Sequence, residues 1–198
     1  MEASFSRRKL VTPLELKALN VRSDLWGAGQ LASHIFAILI MGYLHSLVMG
    51  TSWMLLTGFF LGILLNFLYA GQHELSHATV FSTRKFNEIF GRLIGFLMIF
   101  PRDYDQVMHF AHHTYTQSWE KDGELVREPY TLGTYLLWMF GITYWRNRFF
   151  GVIRRARGII VEPYIRVEEE AKVIRESRVH LALYIITVMV SAAMQSWV

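Results

Sequence analysis

Residues 25–73 contain no aspartate, glutamate, lysine or arginine. A membrane-spanning helix needs only about 20 apolar residues, so this charge-free stretch is long enough for two helices. Small and polar residues at positions 50–52 allow a tight turn between them. We therefore predict a helical hairpin with spans at residues 30–49 and 52–70. The 53% hydrophobic composition also favours a membrane protein over a soluble one.

A second uncharged run, residues 179–198, is long enough to cross about 30 Å of hydrocarbon. The predicted fold class is all-α: a multi-pass membrane helical bundle, made of the hairpin and a third span, with a cytoplasmic helical cap. We expect one domain over residues 1–198 with four parts. They are a cytoplasmic arm at 1–29, the hairpin at 30–72, a cytoplasmic or interfacial region at 73–178 and the third span at 179–198.

The basic residues predict the orientation of the hairpin. All twenty lysines and arginines precede the first span or lie between His73 and Val179. Because cytoplasmic loops carry an excess of basic residues, both regions are expected on the cytoplasmic side, which is the inner membrane in a bacterium. The basic charge is typical of segments that meet anionic lipid headgroups, so we expect no nucleic-acid partner.

Five of the eight histidines lie in two short motifs, HELSH and HFAHH. Their spacings of three and four residues place the members of each motif on one face of a helix. Imidazole is a ligand for iron, zinc and copper, and five imidazoles exceed what one tetrahedral zinc requires. Two metal ions are therefore expected. The five histidines are His73, His77, His109, His112 and His113.

The remaining histidines and the metal's identity leave alternatives open. His34 and His180 are expected near the cytoplasmic face, as ligands or as partners of the ligands, whereas His45 lies toward the outer end of the first span. HELSH also matches the zinc-protease pattern HExxH, in which Glu74 is the general base. That alternative leaves most of HFAHH unexplained. A third alternative is a non-catalytic membrane protein whose histidines bind metal or heme.

Basic and aromatic side chains are concentrated in the second half of the chain. The segment 135–150 combines tryptophan, tyrosine and phenylalanine with arginine, which is typical of the lipid headgroup layer or of a helix packed on the core. Some arginines are candidates for a lipid headgroup site, although anchoring at the membrane face is the simpler interpretation. These arginines are Arg102, Arg146, Arg148, Arg154 and Arg155.

The two histidine motifs resemble those of the membrane fatty acid desaturase superfamily. The resemblance lies in GQHELSHATVF at residues 71–81 and FAHHTYTQSWEKDGEL at residues 110–125, with His109 just before the second. It implies a bundle of spanning helices with a di-iron centre at the membrane face, ligated by the five histidines. Glu74 then becomes an orienting group or a partner of the ligands instead of a base. Gln117, Asp122 and Glu124 follow the second motif as in the family, with Gly123 in place of a proline.

The resemblance implies an oxidoreductase of lipid metabolism that uses O2 to introduce a double bond into a fatty acyl chain. A lipid hydroxylase of the same superfamily is the nearest alternative. The chain contains no cysteine, which excludes disulfides and iron-sulfur ligation within it. Electrons are therefore expected from a separate protein of the ferredoxin or cytochrome b5 type.

The superfamily has a third histidine motif with no counterpart in these 198 residues. The sequence therefore predicts an N-terminal fragment or a shortened relative. Two irons held by five imidazoles would keep several positions for water, so we expect these residues alone to be inactive.

Overall fold

A computed structural model of the protein describes residues 12–125 and 131–194, and these residues form helices without strands. The predicted all-helical class is confirmed. Residues 1–11 of the predicted arm and 195–198 of the predicted third span lie outside the described residues. The helices are α1 (Pro13–Leu19), α2 (Asp24–Leu47), α3 (Trp53–Ser76), α4 (Arg84–Leu97), α5 (Arg102–Tyr115), α6 (Leu132–Met139), α7 (Ile142–Ala156) and α8 (Val167–Ala193).

The hairpin consists of α2 and α3, which pack against each other. Both are long and apolar enough to cross a membrane. They turn at Gly50, whose φ of +83° lies in the left-handed region that glycine adopts without a steric penalty. Each helix extends beyond its predicted span. α2 begins at Asp24 after the capping residue Ser23, and α3 continues to Ser76, so the first histidine motif lies on its last turn.

The chain that follows the first histidine motif folds back onto the start of α2. Asp24 accepts hydrogen bonds from the Thr83 backbone N–H at 2.9 Å and the Thr83 hydroxyl at 2.6 Å. Arg22 donates to the Ala78 carbonyl at 2.7 Å. Gly27 lies directly beneath this segment, since a Cβ there would be 2.5 Å from the Val80 carbonyl oxygen. These contacts fix the position of the chain next to the motif.

Replacing Gly27 with alanine is expected to lower the free energy of unfolding by about 2 kcal/mol, because the added methyl group forces two backbones apart. Gly29 is the matched control: it lies on the same helix, and a Cβ there meets nothing within 4 Å. Alanine at that position should stabilise the helix by up to about 1 kcal/mol. Thermal unfolding in detergent measures both variants. Equal melting temperatures would contradict this packing.

The third predicted span corresponds to the second half of α8 as far as residue 193. The first half of this helix is charged and packs against α7 and α5. Only α2 and α3 have the length and hydropathy of a membrane span over residues 12–125 and 131–194. The third span therefore stays a prediction.

The core lies where the C-terminal end of α3 meets α4, α5 and α8. It includes Leu75, Phe81, Ile94, Val107 and Val173, all buried. This core places the last turn of α3 against α5, so the two histidine motifs lie on neighbouring helices.

Three of the arginines considered for a headgroup site are buried: Arg102, Arg148 and Arg155. The Arg148 guanidinium lies 3.8 Å from the centre of the Phe100 ring and donates to the Met98 carbonyl at 2.9 Å. Arg155 pairs with Glu162 at 2.9 Å. These side chains therefore hold the cap together and do not face lipid headgroups. Helix α6, at the start of the aromatic segment, differs from these arginines in that none of its residues is buried.

Candidate metal centre

The structure brings the two histidine motifs together between the end of α3 and α5. One nitrogen from each of His73, His77 and His109 lies within 4.8 Å of the others. His73 is on the last turn of α3, His77 caps that helix, and His109 lies in the middle of α5. Residues 32 positions apart in sequence therefore contribute to one cluster.

Three Nε2 atoms converge most closely. The His77 and His109 atoms lie 2.8 Å apart, those of His109 and His113 2.9 Å, and those of His77 and His113 3.3 Å. Nitrogen ligands bound to one ion at about 2.1 Å are about 3 Å apart, so these separations fit a shared ion. The His73 ring joins the cluster with its centroid 4.1 Å from that of His109. Four of the five predicted ligands thus lie around one point.

Glu124 indicates which nitrogen of His109 is free to bind a metal. The His109 Nδ1–H donates to the Glu124 carboxylate at 3.0 Å. Neutral imidazole has one N–H, so this bond leaves the lone pair on Nε2, facing His77 and His113. A carboxylate behind a histidine is the usual arrangement at metal sites, where it fixes the ring and raises its basicity.

His112 is oriented differently from the other four. Its Nδ1–H donates to Asp122 at 2.9 Å, and its Nε2 lies 3.9 Å from Glu124 Oε2. Its ring centroid is 6.2 Å from that of His109. The second motif therefore presents His109 and His113 to the cluster, while His112 faces Glu124 at its side.

Asp122 is fully buried and is the best-connected carboxylate of the site. Besides His112 it accepts the backbone N–H groups of Gln117 and Glu124, each at 2.9 Å. Burial acts to raise the pKa of Asp122, but the N–H donors of Glu124, His112 and Gln117 outweigh it and the pKa is lowered. Asp122 thus remains charged while it connects His112 to the following loop.

The roles of Asp122 and Glu124 as partners of the histidines were not predicted from the sequence, although both residues follow the second motif. The only sequence signal was their acidic character, 10 residues after His112 and 15 after His109. No helical period relates these positions, because α5 ends at Tyr115 and the intervening chain is a loop.

The pKa values of His77 and His109 are lowered, primarily by burial and further by neighbouring imidazoles. Glu124 opposes this effect at His109 through its hydrogen bond. Both rings are therefore neutral at pH 7, which is the form that binds a metal ion.

Buried polar contacts join the two helices that carry the motifs. The Ser76 hydroxyl donates to Asp105 at 3.2 Å, and the Gln106 amide donates to the Ser76 carbonyl at 2.8 Å. Gln72 donates to the Phe100 carbonyl at 3.0 Å. Burial raises the pKa of Asp105 to about 6. These bonds set the register of α5 against α3, and thus of one motif against the other.

Three further side chains were predicted to support the ligands, and each of them bonds to another group. The Glu74 carboxylate accepts the Thr79 hydroxyl at 2.7 Å, and His34 contacts the Leu64 carbonyl at 3.0 Å. His180 Nδ1 lies 3.3 Å from the Tyr184 hydroxyl. Within the described residues these three side chains make no hydrogen bond to the clustered histidines, so their predicted support of the metal stays a prediction.

Three cavities surround the cluster. One of about 250 Å³ between α2 and α3 has a mostly apolar lining that includes Leu31 and Phe67 and reaches Glu74. A second, of about 360 Å³ along α3, includes His73 itself. A third, of about 380 Å³, borders His77 and contains polar side chains such as Gln106. The histidines thus lie between apolar and polar openings.

Two helices long and apolar enough to cross a membrane, with a histidine cluster at the C-terminal end of the second, indicate a membrane protein with a candidate metal centre. Residues 50–198 match the sequence profile of the fatty acid desaturase family, and the match includes both histidine motifs. The chain therefore belongs to the fatty acid desaturase family, as the resemblance predicted. Membership implies a membrane context, a lipid substrate and oxidoreductase activity in general. No solved structure matches the chain.

Proposed function

We propose that this protein desaturates a fatty acyl chain with O2 at a di-iron centre held by its two histidine motifs. The observation that carries the proposal is the convergence of the His77, His109 and His113 Nε2 atoms where α5 meets the C-terminal end of α3, a candidate membrane helix. The proposed iron ligands are His73, His77, His109, His112 and His113.

The donor set suits iron. Neutral imidazoles bind iron, zinc or copper, and members of this family generally use two irons. Four histidines surround one point while His112 lies beside Glu124, and this separation supports two ion positions over one. Glu74 bonds to Thr79 instead of serving as a base in this proposal.

Iron with O2 supplies the oxidising power that amino-acid side chains lack, which is needed to remove hydrogen from an unactivated methylene. The protein's own side chains hold and orient the histidine ligands. Glu124 and Asp122 keep the Nδ1 protons of His109 and His112 in place, so each Nε2 remains available. The buried side of the cluster limits access of water.

The cavities favour a substrate with an apolar tail. A chain that enters between α2 and α3 would follow the lining of Leu31 and Phe67 toward Glu74, next to His73. The polar cavity beside His77 lies on the other side of the motif. We therefore infer that the acyl chain approaches from the spanning helices, with its headgroup at the membrane face.

We further propose that the protein is a multi-pass membrane protein with the histidines on the cytoplasmic side, as the distribution of basic residues favours. Desaturation reduces O2 to water with two electrons from the substrate and two from a donor. A separate electron-transfer protein of the ferredoxin or cytochrome b5 type would supply the latter, since this chain has no cysteine for an iron-sulfur cluster.

The test is to express the protein from its natural gene in a host supplied with perdeuterated fatty acid. We expect a product that has lost two deuterium atoms, and iron in the purified protein. A deuterated alcohol would instead identify the hydroxylase alternative. One zinc ion per chain with no new lipid product would contradict the proposal and favour the HExxH zinc site.

A further inference from the structure

Helix α5, which carries the second histidine motif, begins without a side-chain cap of its own. Its N-cap residue is Pro101, which makes no capping hydrogen bond. The first N–H groups of a helix have no acceptor within that helix. An acceptor for this end of α5 therefore comes either from water or from another part of the chain.

Glu176 of α8 provides that acceptor. Its Oε2 accepts the Asp103 backbone N–H at 2.6 Å, across 73 positions of sequence. The side chain is buried, with 7% of the residue exposed. A negative charge at the start of a helix is also favoured by the helix dipole. Glu176 is thus a cap for α5 supplied by a different helix.

The charges around Glu176 come from three helices. Arg92 of α4 lies 3.6 Å from Glu176 Oε1 and 3.4 Å from the Asp103 carboxylate. Arg102 of α5 lies 3.4 Å from Asp103, and His180 follows one turn later on α8. Burial, followed by the charge of Asp103, raises the pKa of Glu176 to about 7.

The surroundings of Glu176 are unfavourable for a charged carboxylate, so stability of the fold alone does not explain this residue. Glu176 Oε1 has no hydrogen-bond partner among the described residues, and a buried carboxylate loses much of its hydration. Removing one partner of a buried ion pair is destabilising because the other charge is left uncompensated, so the cost of losing Glu176 depends on the partners that remain. Arg92 and Arg102 would both keep Asp103. A role in orientation accounts for Glu176 better than a role in stability.

We propose that Glu176 is a positioning residue that holds the start of α5 and so orients the second histidine motif toward the first. The capped residue Asp103 is about 9 Å along the helix axis from His109. Ser76 and Gln106 fix α5 on the α3 side, whereas Glu176 fixes it from α8. The inference rests on the proposed function, because it requires the histidines to bind metal.

The experiment compares Glu176→Leu and Glu176→Gln with the unchanged protein, purified in detergent. Co²⁺ serves as the probe, with its affinity and visible absorption spectrum measured beside thermal unfolding. We expect leucine to weaken Co²⁺ binding about tenfold and to alter the spectrum of the folded protein, while the melting temperature falls by no more than the loss of one helix cap causes. Glutamine keeps an oxygen acceptor and should restore most of the affinity. Glu168→Leu, at an exposed position of α8, is the matched control and should change neither property.

The outcomes separate this inference from the proposed function. Equal Co²⁺ affinity and spectra in all variants would overturn the role of Glu176 and leave the proposed metal site intact. A parallel loss of melting temperature and affinity in both Glu176 variants would also overturn it, since that result indicates a merely structural role. Failure of the unchanged protein to bind Co²⁺ and Fe²⁺ would overturn the proposed function itself.

Discussion

Replacing His109 with alanine is expected to abolish iron binding and lipid desaturation together. His109 is the most central ring of the cluster: its Nε2 lies 2.8 Å from that of His77 and 2.9 Å from that of His113, and its ring packs edge-on against that of His73. It is also 3% exposed, so water cannot readily replace it. Loss of a residue that merely supports a ligand typically costs 10- to 100-fold. Loss of this proposed ligand should lower product formation by at least about 100-fold.

The measurement uses protein expressed from its natural gene, and it combines iron per chain after purification with the double-bond content of the host's lipids. His45→Ala is the matched control, because His45 bonds to Thr57 near the hairpin turn and lies away from the motifs. That variant should keep both properties. Full iron content in His109→Ala would show that the cluster is not the metal site.

The charge-free stretch was sufficient to predict two long apolar helices, and the histidine spacing indicated that each histidine motif lies on a helix. Both depend on local rules: a span needs a run of apolar residues, and a helix aligns residues three or four apart. The boundaries were less accurate. Helix α2 begins six residues before the predicted span at residue 30, with Asp24 inside the helix and held by Thr83.

The carboxylates of the site depend on the loop after α5, whose conformation the sequence pattern does not specify. Gln117 has a φ of +67°, which a residue other than glycine rarely adopts, and its N–H donates to Asp122. That turn brings Asp122 back to His112. Spacing along a helix carries no information about how a loop folds back, so the pairing of Asp122 with His112 is seen only in the structure.

The burial of two arginines could not be predicted from the sequence either. Arg148 and Arg155 lie in a basic segment that is typical of a membrane surface, yet both are buried. Arg155 covers the Tyr104 ring at 3.6 Å and pairs with Glu162, which follows after a turn. A guanidinium can be buried when aromatic faces and carboxylates surround it, and these partners come from distant positions.

Replacing Asp122 with alanine should lower metal affinity by about 100-fold, the upper end of what loss of a histidine's carboxylate partner costs. The substitution frees the His112 ring and leaves the Gln117 and Glu124 N–H groups without an acceptor. Since Glu124 is held through Asp122, the partner of His109 would be displaced as well. Iron or Co²⁺ titration of the purified protein measures the effect.

Asp122→Asn removes the negative charge that stabilises a bound, polarised imidazole but keeps the size of the side chain and one of the two acceptor oxygens. Because the Glu124 N–H bonds to Oδ1 and the Gln117 N–H to Oδ2, one of these two bonds is lost as well. We expect this variant to lose less melting temperature than Asp122→Ala and to bind metal about tenfold more weakly than the unchanged protein. Glu120→Ala, in the same loop but exposed, should bind normally. If Asp122→Asn bound metal as tightly as the unchanged protein, Asp122 would serve only to fold the loop. His112 would then not depend on a charged partner to bind metal.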